Sequence, residues 1–113
     1  MAAFQLDDVF AALADPTRRA IVERLTASGE LSVGEVASPF DISAPAITRH
    51  LRVLEQARLI ERRSERQRRF VRVRADAFMP VEGWLARHRK HWTAALDRLE
   101  ALAAAQTPKR RKS

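Results

Sequence analysis

Apolar residues recur along most of this chain at the three- and four-residue spacing of a helix, and over one short stretch at the two-residue spacing of a strand. The helical pattern is sharpest from Ser43 to Leu54, where Ile47, Leu51 and Leu54 share a face that Leu59 continues. Ser43 suits the cap, because its hydroxyl can accept from an early N–H that has no partner inside the helix. Pro45 falls in the first turn, where a missing N–H costs little. Ala44, Pro45, Thr48, Arg49 and Arg52 fall mainly on the other side. Small side chains there allow close approach, and threonine and arginine offer hydrogen bonds.

The segments before it read as supports. Leu6, Val9, Phe10 and Leu13 predict a helix over 4–14, with Asp7 and Asp8 opposite. Asp15-Pro16 breaks it and caps a second helix over 16–27, which buries Ile21, Val22 and Leu25. Gly29 is placed to take a left-handed conformation after that helix. Glu30-Leu31 is a short extended link. Ser32 and Glu35 have the spacing of a capping box, so a short helix should run over 33–38 and bury Val36 and Ala37. Pro39 stops it, and Phe40 and Ile42 should anchor the turn in the core. A short helix, a tight turn and a second helix with small polar residues outward is a helix-turn-helix arrangement.

Two strands should follow. Residues 59–63 alternate, Ser64-Glu65-Arg66-Gln67 is polar enough to turn, and Arg68 to Arg74 alternate apolar and basic positions. Such a hairpin directly after the outward-facing helix is a wing. Residues 77–104 form the longest helical stretch. Phe78, Val81, Leu85, His88, Trp92, Ala95, Leu99 and Leu102 follow a three-four spacing that makes a seam for another helix, with Trp84 beside it. A chain of 113 residues has little core left for the apolar positions after residue 92, so the surplus should pair with a second copy. The expected class is mainly α with a small β-hairpin. The expected organisation is one domain over 1–104 and a disordered basic tail over 105–113.

Charge sharpens this picture. Residues 1–42 carry 3 basic and 7 acidic groups, residues 43–75 carry 10 and 3, and the six-residue tail from Pro108 carries 4 and none. Positive charge focused on the reading helix, the wing and the tail implies a polyanion. Double-stranded DNA fits best: Ala44, Pro45, Thr48 and Arg49 nearest the bases, with Ser43, Arg52, Arg62, Arg63, Arg66, Arg68 and Arg69 on the backbone. A solvated basic surface, or arginines that only guard a sheet edge, is the plainer alternative. A winged module for RNA or protein and a non-specific DNA-coating protein are competing classes. Tyrosine is absent and the basic region offers only Phe70 for stacking, which speaks against single-stranded RNA. A site preference of roughly 10³-fold or more over random DNA would separate a regulator from a coating protein.

The remaining chemistry is sparse. Without cysteine there is no disulfide, thiolate metal site or thiol nucleophile. There is no Gly-rich phosphate loop, and no serine has an evident histidine base, so neither an enzyme nor a cofactor is expected. His88 and His91 could face one metal ion, but only Glu82 stands near in sequence, and interface or surface roles suit them better. His50 suits either a phosphate contact or the junction with the short helix. No run approaches the roughly 20 apolar residues of a membrane span, and Asp7 and Asp8 interrupt any leader pattern, so a cytoplasmic protein without membrane contact is expected.

Four ordered stretches resemble the ArsR/SmtB family of winged-helix repressors: Leu13 to Ile21 (Leu-Ala-Asp-Pro-Thr-Arg-Arg-Ala-Ile), Glu30 to Val36, Ser43 to Leu54, and Ala57 to Ile60. The resemblance covers about residues 6–104. It implies a homodimer, paired through the first and last helices, that represses from an inverted repeat and in some cases represses itself. Leu6 and Phe10 would then join Leu85, His88, Trp92, Ala95, Leu99 and Leu102 in the dimer interface. The chain departs from the metal sensors of that family. Ser32 and Gly34 stand where their Cys-x-Cys lies, Phe78 follows Asp76 where a histidine is needed, and Ala94 follows His91 where a glutamate is needed. The resemblance is therefore to a non-metal-sensing branch, with a small molecule, a partner protein or no effector at all as the signal.

Overall fold

The computed structural model describes residues 2–106. Its elements run α1 (Ala2–Leu13), α2 (Pro16–Ser28), β1 (Leu31–Ser32), α3 (Val33–Ala37), α4 (Ala44–Gln56), β2 (Ile60–Glu65), β3 (Arg68–Val73) and α5 (Met79–Gln106). The chain gathers into two compact units divided after Val81. Ala105 and Gln106 complete α5, and the rest of the expected basic tail, 107–113, lies outside the described residues.

In the first unit, polar caps set the element boundaries. Asp15 caps α2 by accepting from the Arg18 N–H at 3.0 Å, and Pro16 takes the first helical position. Arg18 and Arg19 then turn back onto the end of α1. The Arg18 Nε donates to the Ala12 carbonyl at 2.7 Å, and the Arg19 Nη1 donates to the Leu13 carbonyl at 2.8 Å. Carbonyls in the last turn of a helix lack intrahelical partners and attract cations, so these two arginines weld α1 to α2. Gly29 ends α2 at φ 83 and ψ −121, beyond the left-handed helical well and in a region glycine reaches readily. Ser32 and Glu35 form the complete capping box, at 3.1 and 2.8 Å.

The end of α4 turns the chain into the wing. The Leu59 N–H reaches the Leu54 carbonyl and the Arg58 N–H the Glu55 carbonyl, each at 3.0 Å, in the paired pattern of a Schellman motif. Arg58 holds φ 63, a position usually given to glycine. The apolar contact that accompanies such a motif is supplied by Leu54 and Leu59, both fully buried.

The sheet has three strands rather than the expected two. Leu31 and Ser32 pair antiparallel with Val71 and Phe70, giving the order β1-β3-β2. The extended link thus borrows the free edge of β3, where unpaired backbone groups would otherwise face water. The wing turn is shorter than expected. Ser64 and Glu65 belong to β2, and Arg66-Gln67 alone connect the strands, with Arg66 at φ 60.

The core joins every element of this unit: Val9 and Ala12 from α1, Ile21, Val22 and Leu25 from α2, Val36 from α3, and Ile47, Leu51 and Leu54 from α4, closed by Leu59, Ile60 and Val71. On α1, Val9 and Ala12 are buried and Phe10 is 45% exposed. One expectation needs correction. Ile42 is 41% exposed, and Phe40 alone packs the turn against the core.

Asp15 yields a stability test. The Arg18 N–H, followed by the charges of Arg18 and His50, holds its carboxyl below the ordinary value near 3.8. A depressed carboxylate stabilises the fold above its unfolded pKa, and that contribution disappears as pH falls through the folded pKa. Asp15→Ala should therefore cost about 1 kcal/mol in urea melts at neutral pH, and the gap from wild type should narrow only in acid, below about pH 4.

Candidate nucleic-acid interface

The buried face of α4 fixes what its other face shows. Ile47, Leu51 and Leu54 are buried, each contributing about 1.5–3 kcal/mol by leaving water. They leave Ala44, Pro45, Thr48, Arg49 and Arg52 exposed. The side chains of Thr48, Arg49 and Arg52 make no hydrogen bond or ion pair with any described residue. Ser43 spends its hydroxyl on the helix itself, accepting from the Ala46 N–H at 3.2 Å. His50 faces α2 rather than the short helix, with its Nδ1 3.9 Å from the Asp15 Oδ2. The junction of α1 with α2 thereby touches the reading helix.

The hairpin register divides the wing arginines. Ile60, Arg62, Val71 and Val73 share one face, while Arg63, Glu65, Arg68 and Phe70 share the other. Arg62 lies against α4, its Nε 3.1 Å from the Glu55 Oε1 but not aligned for a hydrogen bond. Arg63 is held on both sides, by Glu30 through two bonds at 2.7 and 2.8 Å and by Glu65 at 2.8 Å. That clamp raises the Arg63 pKa and lowers the Glu30 carboxyl below its ordinary range. Arg72 is paired with Glu61 at 2.7 Å, and Arg74 with Asp76 at 2.9 Å. Arg66, Arg68 and Arg69 make no ion pair among the described residues, although the charge of Arg68, after the bonds with Ser32, helps to lower the Glu35 carboxyl. Of the arginines expected at the backbone, the structure thus commits Arg62 and Arg63 to the protein and leaves Arg52, Arg66, Arg68 and Arg69 without an ion pair. Counting arginines could not make this division. The carboxylates that make it come from α4, from the link before β1 and from β2 itself, and strand register does not reveal them.

Sequence reasoning also missed Arg24. Its Nε and Nη2 donate to the Glu35 carbonyl at 3.3 and 3.0 Å, holding the end of α3 from α2.

Helix α5 carries an apolar stripe. Leu85, Trp92, Leu96, Leu99 and Leu102 are exposed, from 45% for Leu85 to 61% for Leu96 and Leu99. Leu96 was not part of the expected seam. His88 and Ala95 are half-buried, and the His88 Nδ1–H donates to the Trp84 carbonyl at 2.8 Å. Trp84 and Trp92 stand 6.3 Å apart between ring centroids. In the first unit Leu6 is half-buried and Phe10 exposed. Among the described residues, no helix is long and apolar enough to cross a membrane.

Known proteins share this arrangement. Residues 13–63 match a helix-turn-helix domain family. The chain is 44% identical over 90 residues to the HTH-type transcriptional regulator Rv2034 of Mycobacterium tuberculosis, covering 80% of each chain. It is 44% identical over 55 residues to the transcriptional repressor SdpR of Bacillus subtilis, covering 49% of this chain and 60% of that one. A crystal structure of an ArsR family transcriptional regulator superimposes with a TM-score of 0.73 at 37% identity, covering 80% of this chain and 93% of that one. With its three-stranded wing and exposed reading helix, this chain belongs to the ArsR family of DNA-binding winged helix-turn-helix transcriptional regulators.

Proposed function

We propose that the protein is a homodimeric, sequence-specific repressor that sets two copies of α4 into successive major grooves of an inverted repeat, about one helical turn apart. One observation carries this reading: the outward side chains of α4 are small, hydroxylated or cationic, and Thr48, Arg49 and Arg52 have no hydrogen-bond or ion-pair partner among the described residues. Ala44 and Pro45 let the helix approach base edges. Thr48 and Arg49 read them, and arginine can span a guanine edge with two bonds. Arg52, Arg66, Arg68 and Arg69, with the Ser43 end of α4, take phosphates, and the tip residues reach the minor groove. Arg62 and Arg63 hold the wing in shape, and their part at the backbone is secondary.

The apolar stripe of α5 supports pairing of two copies, with Leu6 and Phe10 of α1 assigned to the same interface. Repression is supported by the resemblance to SdpR, a named repressor. The Cys-x-Cys positions of the family hold Ser32 and Gly34, and Ser32 is engaged in its capping box, so the signal here is not a thiolate-bound metal. Genome-wide footprinting of the purified protein at near-physiological salt tests the whole reading. It should return a small set of palindromic sites. Uniform coverage would favour a coating protein.

Three variants separate the parts. Arg49→Ala should cost about 1–3 kcal/mol of binding and relax preference at one base pair per half-site. An equal loss on every sequence would place Arg49 on a phosphate. Replacing Arg66 and Arg69 together by alanine should lower the slope of log affinity against log salt by about 2, and an unchanged slope would take the wing tip off the DNA. Leu99→Glu should convert the dimer to a monomer in sedimentation equilibrium, since a buried unpaired charge is strongly disfavoured. A variant that stays dimeric would show that α5 does not form the seam.

A further inference from the structure

Phe70 breaks the alternation of β3. Its neighbours Val71 and Val73 lie on one face of the sheet with Leu31, Ile60 and Arg62, whereas Phe70 shares the opposite face with Arg68 and Arg63. An aromatic ring on the charged side of a short, exposed wing is not explained by the core, whose sheet contribution comes from Ile60 and Val71. Two guanidiniums cover it instead. The Arg63 and Arg68 guanidinium carbons stand 4.6 and 5.2 Å from the ring centroid, within the range at which a cation is attracted to the face of an aromatic ring.

The two arginines differ in what else they do. Arg63 is held by Glu30 and Glu65, through one bond from each of its three nitrogens. Arg68 has the ring and, among the described residues, no hydrogen bond or ion pair, with Glu35 the carboxylate that feels its charge, so its N–H groups remain available. A free arginine loses considerable rotamer freedom when a phosphate captures it. One already laid against a ring, beside a neighbour locked by two carboxylates, has lost part of that freedom before contact.

Resting on the reading of the wing as a DNA contact, we propose that Phe70 is a positioning residue for that contact: its ring holds the Arg68 guanidinium in place for a phosphate of the DNA backbone. Phe70 itself takes no bond from the nucleic acid, and Arg63, fixed by Glu30 and Glu65, braces the ring against the sheet.

The test uses the full chain and a labelled mixed-sequence duplex about three helical turns long, with affinity measured across a salt series. Arg68→Ala should weaken binding and lower the salt slope by about 1. Phe70→Leu, which keeps an apolar side chain and removes the ring, should weaken binding about three- to tenfold while leaving the salt slope unchanged, because the charge remains. Phe70→Tyr should bind as wild type. In the Phe70→Leu/Arg68→Ala double variant the loss should be no greater than for Arg68→Ala alone. If the two losses multiply, Phe70 acts on its own account and the proposal is overturned. A weakened Arg68→Ala beside an unaffected Phe70→Leu overturns the platform but leaves the wing on the DNA. An unaffected Arg68→Ala removes both. Thermal melts monitor folding. Should Phe70→Leu fail to fold, the Arg68 side-chain proton shifts in the wild type decide: an upfield ring-current displacement is expected, and its absence overturns the proposal.

Discussion

The seating of α4 governs this molecule. Ile47, Leu51 and Leu54 enter a core that draws on α1, α2, α3 and the sheet, and burying three large aliphatic chains fixes the rotation of the helix about its axis. Once that rotation is set, Thr48, Arg49 and Arg52 have nowhere to point but outward. The Schellman turn at Leu54 and Leu59 extends the same constraint, because the residue that ends the helix is also the one that plugs the core before β2 begins. The position of the wing relative to α4 is therefore a consequence of α4's own packing.

Around this anchor the chain divides its charges. Cations near the helix ends satisfy orphan carbonyls: Arg18 and Arg19 at the end of α1, Arg24 at the end of α3. Cations at mid-wing are neutralised by carboxylates: Arg72 across the strands by Glu61, and Arg63 by Glu65 on its own strand and by Glu30 ahead of β1. Exposed ion pairs contribute little each to stability, but they decide which arginines remain free. On α4 and at the wing tip, those without an ion pair among the described residues are Arg49, Arg52, Arg66, Arg68 and Arg69. A formal net charge of +7 spread evenly would attract any polyanion. Set on one helix and one hairpin, these five can impose an orientation as well as an attraction.

The contact between His50 and Asp15 gives the reading helix a neighbour outside the helix-turn-helix itself. Asp15 caps α2, and the arginine next to that cap holds the end of α1. A polar chain thus runs from the end of α1 through the start of α2 to the middle of α4. Helix α5 has a different character: against its row of exposed leucines and a tryptophan, α4 exposes only Val53 among large apolar side chains, and an apolar stripe of that length on a helix is costly to leave in water.

Much of this was legible in the residues alone. The apolar period placed α2, α4 and α5 nearly to the residue, and Asp15, Ser32 and Ser43 announced their caps because capping is a local contact within four residues. The exposed face of α4 followed from its buried one. What the chain could not declare were contacts between segments far apart in sequence. Leu31 and Ser32 become a strand only because β3 offers them an edge. Ile42 lies outside the core, and of the two turn residues only Phe40 packs against it. Arg63 meets Glu30 across 33 positions, and Arg24 meets Glu35 across 11. Local periodicity determined which elements form and which way the reading helix faces, since both depend on neighbours within a turn or two. Only the tertiary structure decided which arginines are free, because a charge is cancelled by whatever carboxylate the fold brings beside it.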